Sequence, residues 1–299
     1  MTKANEKRKA FRRALGRGEF LLAPGVYDAL SAKIAQTSGM NCLAMGGYAI
    51  SASRLARPDV GLLSLTEMSG ALKEIADATD IPVIADGDTG YGNPLNVMRT
   101  VELYEAAGAS CIFFEDQLWP KRCGHMDGKQ VIPCEDHVQK IRAACAARSD
   151  KETLIMARTD ARAVNGLEDA LQRAERYVQA GAEALFIEAL RSEEEMRIAL
   201  DRFAGSGVYL FANMIEGGKT PIIPVPKLKA MGFAGVFWSC CSLYVVAKAL
   251  QKAFTTICRT GTSDSFAQTD LIEFADFNNL VGLPEYLKLS ETYKTSDHV

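Results

Sequence analysis

No two of the eight cysteines, Cys42, Cys111, Cys123, Cys134, Cys145, Cys240, Cys241 and Cys258, are spaced Cys-x-x-Cys. Most sit in apolar runs, where a thiol acts as a small hydrophobe, so the pattern suits a reducing cytosol and speaks against a disulfide framework. No apolar run is long enough to span a bilayer, and no hydrophobic signal segment follows the first residues. The formal net charge is only −3, too small to draw the chain to nucleic acid or an anionic membrane. No proline- or serine-rich stretch divides the chain, so one domain over residues 1–299 is expected, soluble and cytoplasmic. The start is basic, with Lys3, Lys7, Arg8, Lys9, Arg12, Arg13 and Arg17 against Glu6. It lacks the serines of a transit peptide and reads as a solvated helix ahead of the core.

Hydrophobic residues make up 48% and charged residues 24%, a balance that can bury a large core. Short apolar runs at residues 20–25, 42–47, 82–88, 111–116, 153–159, 184–188, 208–213 and 234–240 alternate with longer amphipathic segments. Most runs are continuous in hydrophobicity, as parallel strands covered by helices should be. Ser64-Leu65-Thr66-Glu67 is a capping-box pattern, Asn93-Pro94 an N-cap with a first-turn proline, Gly108 a stop, and Ser192 with Glu195 a second box. A repeat supports the alternation. Tyr104, Ala107, Gly108, Ala109 and the run to Glu115 match Tyr177, Ala180, Gly181, Ala182 and the run to Glu188. The fold class expected is α/β, a (β/α)8 barrel over about residues 18–242 with a helical tail over about 243–299.

Polar residues at strand C-termini of such a barrel converge on one face. The third run ends in Asp86-Gly87-Asp88, two carboxylates pointing the same way, for which a hard cation such as magnesium is the natural neutraliser. Other runs end in Glu115-Asp116, Arg158-Thr159-Asp160, Glu188 and Asn213, the last followed by Glu216-Gly217-Gly218-Lys219-Thr220. Arg158 offers a planar fork suited to a carboxylate, and Gly46 and Gly47 let backbone amides approach an anion. Residues 117–133 form a loop far longer than the roughly two to six residues usual after a strand, which suggests a lid. Within it, Lys121-Arg122-Cys123-Gly124-His125 places cations beside a thiol, an arrangement expected to lower its pKa. The alternative, zinc held by Cys123, His125, Cys134 and His137, does not have a familiar ligand spacing.

These residues resemble the isocitrate lyase / phosphoenolpyruvate mutase superfamily over about residues 24–243. The likeness rests on Gly46-Gly47-Tyr48, Pro58-Asp59, Asp86-Gly87-Asp88-Thr89-Gly90-Tyr91-Gly92, the Lys121–His125 loop, and Asn213-Met214-x-Glu216-Gly217-Gly218-Lys219-Thr220-Pro221. The cysteine loop is specific to the lyase side, in the group of dimethylmalate lyase, petal death protein, oxaloacetate hydrolase and methylisocitrate lyase. The resemblance implies magnesium, with manganese as a substitute, held directly or through water by Asp59, Asp86, Asp88 and Glu115. It implies that Gly46, Gly47, Arg158, Asn213 and Thr220 grip substrate carboxylates, with Lys121, Arg122, Gly124 and His125 closing over them and Glu188 ordering the site. Cleavage of a 2-hydroxy di- or tricarboxylate to a 2-oxo acid and a second acid would end with Cys123 protonating the departing enolate. Ala44 stands where several lyases of the family place a tyrosine, and Tyr48 is expected to take part of that work. Ser239 stands near where lyases show proline, which keeps oxaloacetate hydrolysis as the alternative. A phosphonomutase-type reaction ranks lower, and a non-catalytic barrel lower still. The apolar segments 243–254 and 271–287 imply a homotetramer that exchanges helices between subunits.

Overall fold

The structure, a computed structural model, describes residues 2–126, 128–266 and 270–294. The chain divides into two compact units, Met1–Leu243 and Tyr244–Val299. In the first, eight strands form: β1 Leu21–Val26, β2 Leu43–Met45, β3 Val83–Asp86, β4 Cys111–Glu115, β5 Leu154–Thr159, β6 Ala184–Ile187, β7 Tyr209–Met214 and β8 Gly235–Trp238. Each pairs in parallel with the next, and β8 returns to β1, so the sheet is a closed (β/α)8 barrel. Every strand falls on one of the apolar runs. β2, β3, β4, β6 and β8 stop short of the C-terminal ends of their runs, where rim residues such as Gly47, Asp88 and Asp116 leave the ladder to make the site.

Continuous hydrophobicity has its cause in two buried faces. On β3, Ile84 enters the barrel interior with Phe113, Met156, Phe186, Phe211 and Phe237, while Val83 and Ala85 face the surrounding helices. The Phe186 and Phe237 centroids lie 5.2 Å apart, and Phe113 meets Phe186 edge-on at 5.8 Å. Each such side chain contributes roughly 1.5–3 kcal/mol by leaving water. This aromatic layer is the floor of the rim.

The caps follow the sequence. Ser64 and Glu67 form a reciprocal box at the start of Leu65–Asp77, and Asn93 caps Pro94–Ala107. At Ser192 only half of the expected box forms. Glu195 N–H reaches Ser192 Oγ, but the Glu195 carboxylate accepts from Arg191 N–H at 2.8 Å. The repeat has a structural reason beyond its glycine turn. Tyr104 donates to the Asp86 carbonyl at 2.9 Å and Tyr177 to Asp116 Oδ2 at 2.8 Å, so each helix pins the rim end of a strand.

The basic start is a helix, Lys3–Gly16, but it is not solvated as expected. Phe11 and Leu15 plug the barrel's N-terminal end against Leu21, Cys42 and Cys111. Arg8 is buried and donates to the Ala109 carbonyl at 2.8 Å, to the Glu105 carbonyl, and to Asp150 Oδ2 at 2.8 Å. Arg12 reaches Glu183 Oε2 at 2.8 Å and the Lys151 and Glu152 carbonyls at 3.0 Å. These cations answer orphan carbonyls at helix ends and in loops, a partnership that charge counting along the sequence does not reveal.

In the second unit, helices Phe274–Leu280 and Leu283–Thr292 bury no residue, and neither does Cys241–Thr260. Val245, Phe254, Leu271, Phe274 and Tyr286 are more than half exposed. No helix among the described residues is long and apolar enough to cross a membrane.

Candidate active site

The C-terminal ends of the strands gather the polar residues. Asp86 closes β3, and its Oδ2 and Oδ1 accept the N–H groups of Gly47 and Asp88, both at 2.9 Å. Asp88 follows with φ of 47°, a left-handed conformation that bulkier residues avoid. Gly87 between them fits only without a side chain, since a Cβ there would lie 2.6 Å from the Phe114 ring. Two carboxylates are thus fixed side by side. Lys121 from the lid lays its Nζ 2.7 Å from both Asp59 Oδ1 and Asp88 Oδ1.

The charge balance here is incomplete. Burial, and then the charge of Asp88, raise the Asp86 carboxyl against Lys121 and Arg158. Burial pushes Glu115 well above the usual carboxylate range, opposed chiefly by Arg158. Among the described residues both Glu115 oxygens and Asp88 Oδ1 are buried with no well-aligned hydrogen bond, answered only by the ion pairs of Arg158 with Glu115 Oε2 and of Lys121 with Asp88 Oδ1. Hard oxygen donors left in this state suit a magnesium or manganese ion. Among the described residues no three carboxylate, imidazole or thiol groups stand close enough to share one ion directly. A cation here would therefore keep water or ligand oxygens in its shell, as magnesium commonly does.

Across the barrel, Arg158 at the end of β5 donates through Nε and Nη2 to Asp160 at 2.9 and 3.2 Å. Its Nη2 also lies 3.2 Å from Glu115 and 3.5 Å from Glu188, and its Cζ is 5.0 Å over the Phe186 ring. Glu188, just past β6, stays low despite burial because His125 bonds it and Arg158 lies close. A hydrogen-bonded chain crosses the rim. Ser239 Oγ donates to Asn213 Oδ1 at 2.7 Å, Asn213 Nδ2 to Glu188 Oε2 at 3.0 Å, and His125 Nε2 lies 3.1 Å from Glu188 Oε1. Lys219 N–H donates to His125 Nδ1 at 2.8 Å, so the ring proton sits on Nε2.

The lid rises on a short neck. Gln117 bridges Val131, and Leu118 N–H reaches the Gln130 carbonyl at 2.8 Å. Its tip is seated. A Cβ on Gly124 would come within 2.5 Å of Arg158 Nη2, and one on Gly218 within 2.5 Å of His125 Nδ1. Cys123 N–H bonds the Asp59 carbonyl at 3.2 Å. The thiol departs from the sequence expectation. Burial pushes it up to about 11, because Lys121 turns to the carboxylates while Arg122 is exposed. A thiol held protonated is a proton donor, not a nucleophile.

Cys123, Gly124, Gly46, Gly47, Tyr48, Asp59, Asp86, Arg158, Glu188, Asn213 and Ser239 line one cavity of about 60 Å³, with Ala44, Phe113, Phe186 and Phe237. That volume is on the order of two waters, small for a dicarboxylate, with the loop seated over it. Lys121, His125, Asp88 and Glu115 stand behind this lining, hydrogen-bonded to residues within it or, for Glu115, ion-paired with Arg158. Thr220 is buried off the lining, and Arg122 lies outside the cavity, where sequence reasoning had set both against substrate. The suggested zinc ligands are not brought together. His125 is on Glu188, while His137 is buried edge-on against Tyr177 at 4.6 Å. Lys129 was missed. It is a lid cation that pairs with Asp160 at 2.9 Å, and its only sequence signal was charge within a loop.

This is the rim of a barrel enzyme built for small carboxylates. A family model described as phosphoenolpyruvate phosphomutase matches residues 11–258. A 2,3-dimethylmalate lyase of Eubacterium barkeri is 42% identical over 284 residues, covering 95% of this chain and 97% of the relative. A chloroplastic carboxyvinyl-carboxyphosphonate phosphorylmutase of Arabidopsis thaliana is 44% identical over 95% of this chain and 84% of its own length. Among solved structures, a 2,3-dimethylmalate lyase superposes with a TM-score of 0.91 at 33% identity, covering 99% of this chain and 97% of that one. An oxaloacetate acetylhydrolase superposes at 0.90 and 32% identity, covering 98% and 99%. The chain belongs to the phosphoenolpyruvate phosphomutase family, within the isocitrate lyase / phosphoenolpyruvate mutase superfamily, and is an enzyme of its carbon–carbon lyase group.

Proposed function

We propose that this enzyme cleaves the C2–C3 bond of a 2-hydroxy di- or tricarboxylate of the alkylmalate, dimethylmalate or methylisocitrate type, giving a 2-oxo acid and a second carboxylic acid. The observation that carries the reading is the Cys123 thiol, kept protonated by burial and lining the same cavity as Arg158, Asn213 and Asp86. Arg158, Asn213 and the Gly46–Gly47 backbone hold substrate carboxylates. Tyr48, on the same wall, accepts the 2-hydroxyl proton while passing its own phenolic proton to water, as that oxygen becomes a carbonyl. The electron pair of the breaking bond passes to the departing acid as an enolate, and Cys123 delivers its proton to that carbon. Glu188, bonded to His125 and Asn213, keeps lid and rim in register. A magnesium ion, or manganese in its place, would be held directly or through water by Asp59, Asp86, Asp88 and Glu115 and would supply positive charge for the substrate's 2-oxygen and carboxylate. The exposed apolar helices of the second unit support a homotetramer with exchanged helices, and we place the enzyme in the cytoplasm.

Ser239 supports a second reading. Its hydroxyl lines the cavity and is oriented by Asn213, so oxaloacetate could be hydrolysed to oxalate and acetate by the same rim. The test supplies 2,3-dimethylmalate, 2-methylisocitrate, alkylmalates and oxaloacetate with magnesium and identifies the products. A 2-oxo acid with a second acid is expected, abolished by EDTA and restored by magnesium or manganese. Turnover of oxaloacetate alone would assign the hydrolase, and full activity after rigorous chelation would remove the metal.

A further inference from the structure

Lys129 and Asp160 face one another beneath the lid with side chains 1% and 0% exposed, and the chemistry above gives neither a role. Lys129 Nζ donates to Asp160 Oδ1 at 2.9 Å and also to the carbonyl of Gly124, the residue that follows Cys123. Asp160 is itself immobile. Its N–H bonds Asp116 Oδ1 at 2.9 Å, and Asp116 is held by Thr159 Oγ1 at 2.7 Å and Tyr177 Oη at 2.8 Å. The same Asp160 carboxylate takes both Nε and Nη2 of Arg158. One lid ammonium and one barrel guanidinium thus share a single buried anion. Burial raises that carboxyl, yet the charges of Arg158 and Lys129 outweigh it and hold it at about 2.

The arrangement has a mechanical consequence. Lys129 lies on the lid side of the neck formed by Gln117 and Val131, so it leaves with Gly124 when the lid lifts. Arg158 then keeps Asp160 to itself, and its Nη2 is drawn to one carboxylate more strongly than to Glu115 or Glu188. Closure returns the second cation, which shares the Asp160 charge while both Arg158 bonds remain, and so leaves the guanidinium more positive potential for a ligand's carboxylate. Burying the ammonium costs desolvation, which the bonds to Asp160 and to the Gly124 carbonyl offset.

We propose that Lys129 is a positioning residue whose ammonium latches the closed lid onto Asp160 and so couples the seat of Cys123 to the orientation of Arg158. The latch rests on the lid reading of the proposed function, and its test needs no substrate. Alkylation of Cys123 by iodoacetamide, followed by peptide mass, is compared in the wild type and in Lys129→Met, alone and with magnesium and oxalate. Without ligand, the variant should be alkylated about tenfold faster, the factor that one charge-assisted hydrogen bond supplies to closure. Oxalate should protect it only at about tenfold higher concentration, and Lys129→Arg should restore most of both effects. A purely structural lysine would change the melting temperature and leave resting and protected rates alike. A folded Lys129→Met with wild-type rates in both conditions overturns the latch. Lys129→Gln, a donor without the charge, carries the same measurement should the methionine variant fail to fold. Failure of every hydroxy acid as a substrate would refute the lyase reading while leaving these rates intact.

Discussion

At the N-terminal end of the barrel Arg8 serves the Glu105 and Ala109 carbonyls and Asp150, and Arg12 serves Glu183. At the C-terminal end one Lys121 ammonium serves both Asp59 and Asp88, while both oxygens of Glu115 lack a well-aligned hydrogen bond among the described residues. Asp160 and Glu188 at this end are held low, so the contrast lies with Asp86 and Glu115. Below, hydrogen bonds and guanidinium charges outweigh burial and hold Asp150 and Glu183 under the usual carboxylate range. Above, burial and crowding lift Asp86 and Glu115 over it. At the lower end the charges of Arg8 and Arg12 are answered within the chain and add stability, although the hydroxyls of Ser110 and Thr153 find no hydrogen bond among the described residues. The upper end is arranged to be completed by a ligand, the division of labour a barrel makes between its two faces.

The most severe challenge to that division is Cys123→Ser. Size and hydrogen bonding stay, but the donor becomes a far weaker acid. General acid catalysis contributes ~10²–10⁴-fold, so the rate should fall by that order, while the melting temperature stays within about 3 °C of the wild type. Steady-state kinetics and calorimetry on one preparation read both. A serine enzyme at the wild-type rate takes the cysteine out of the chemistry. A large loss of stability would mean that the rim is architecture after all.

The barrel was legible because each strand is buried on two faces and so prints a continuous apolar run, with Gly108 and Gly181 marking the turns. Asp86, Asp88 and Glu188 were legible for a related reason. In a parallel barrel, the residue that ends a strand has only one face to point to. Partnerships across the fold were not legible. Sequence adjacency put Lys121 and Arg122 beside the Cys123 thiol and predicted a lowered pKa. The folded lid instead turns Lys121 to Asp59 and Asp88 and leaves the thiol desolvated. Arg8 and Arg12 looked solvated because their partners are carbonyls and carboxylates nearly a hundred or more residues away. Lys129 was passed over for the same reason, since its partner, Asp160, lies on another strand end.

Arg8→Met tests the other end of the comparison. The substitution keeps the aliphatic stem and removes two carbonyl bonds and the bond to Asp150. Leaving these acceptors unanswered in a buried place should destabilise by about 2–4 kcal/mol in urea unfolding. The turnover number per folded molecule should not change, because the partners of Arg8, namely Glu105, Ala109 and Asp150, all lie away from the C-terminal ends of the strands. A variant of normal stability but reduced turnover would show that the plug transmits to the site, and the two ends would no longer be separable.

The smallest expected effect is on the acid limb of stability, and it isolates one carboxylate. Burial raises Asp150, but hydrogen bonds from Asn5, Arg8 and the Glu152 N–H outweigh it and hold the group at about 2, against an ordinary value of 3.8. Between those values the unfolded chain binds more protons than the folded one. The stability from this group is therefore whole above pH 3.8 and is lost as the pH falls toward 2. Asp86 and Glu115 are raised, so they bind protons first in the folded state and give a slope of the opposite sign. The wild-type curve mixes the two ends, and the difference between wild type and Asp150→Asn removes the rim's share. That difference, from urea unfolding at a series of pH values, should be flat above pH 5 and shrink through the window from 3.8 to 2. Parallel curves throughout that window would mean that Arg8 does not hold Asp150, and the contrast in charge between the two ends would fail.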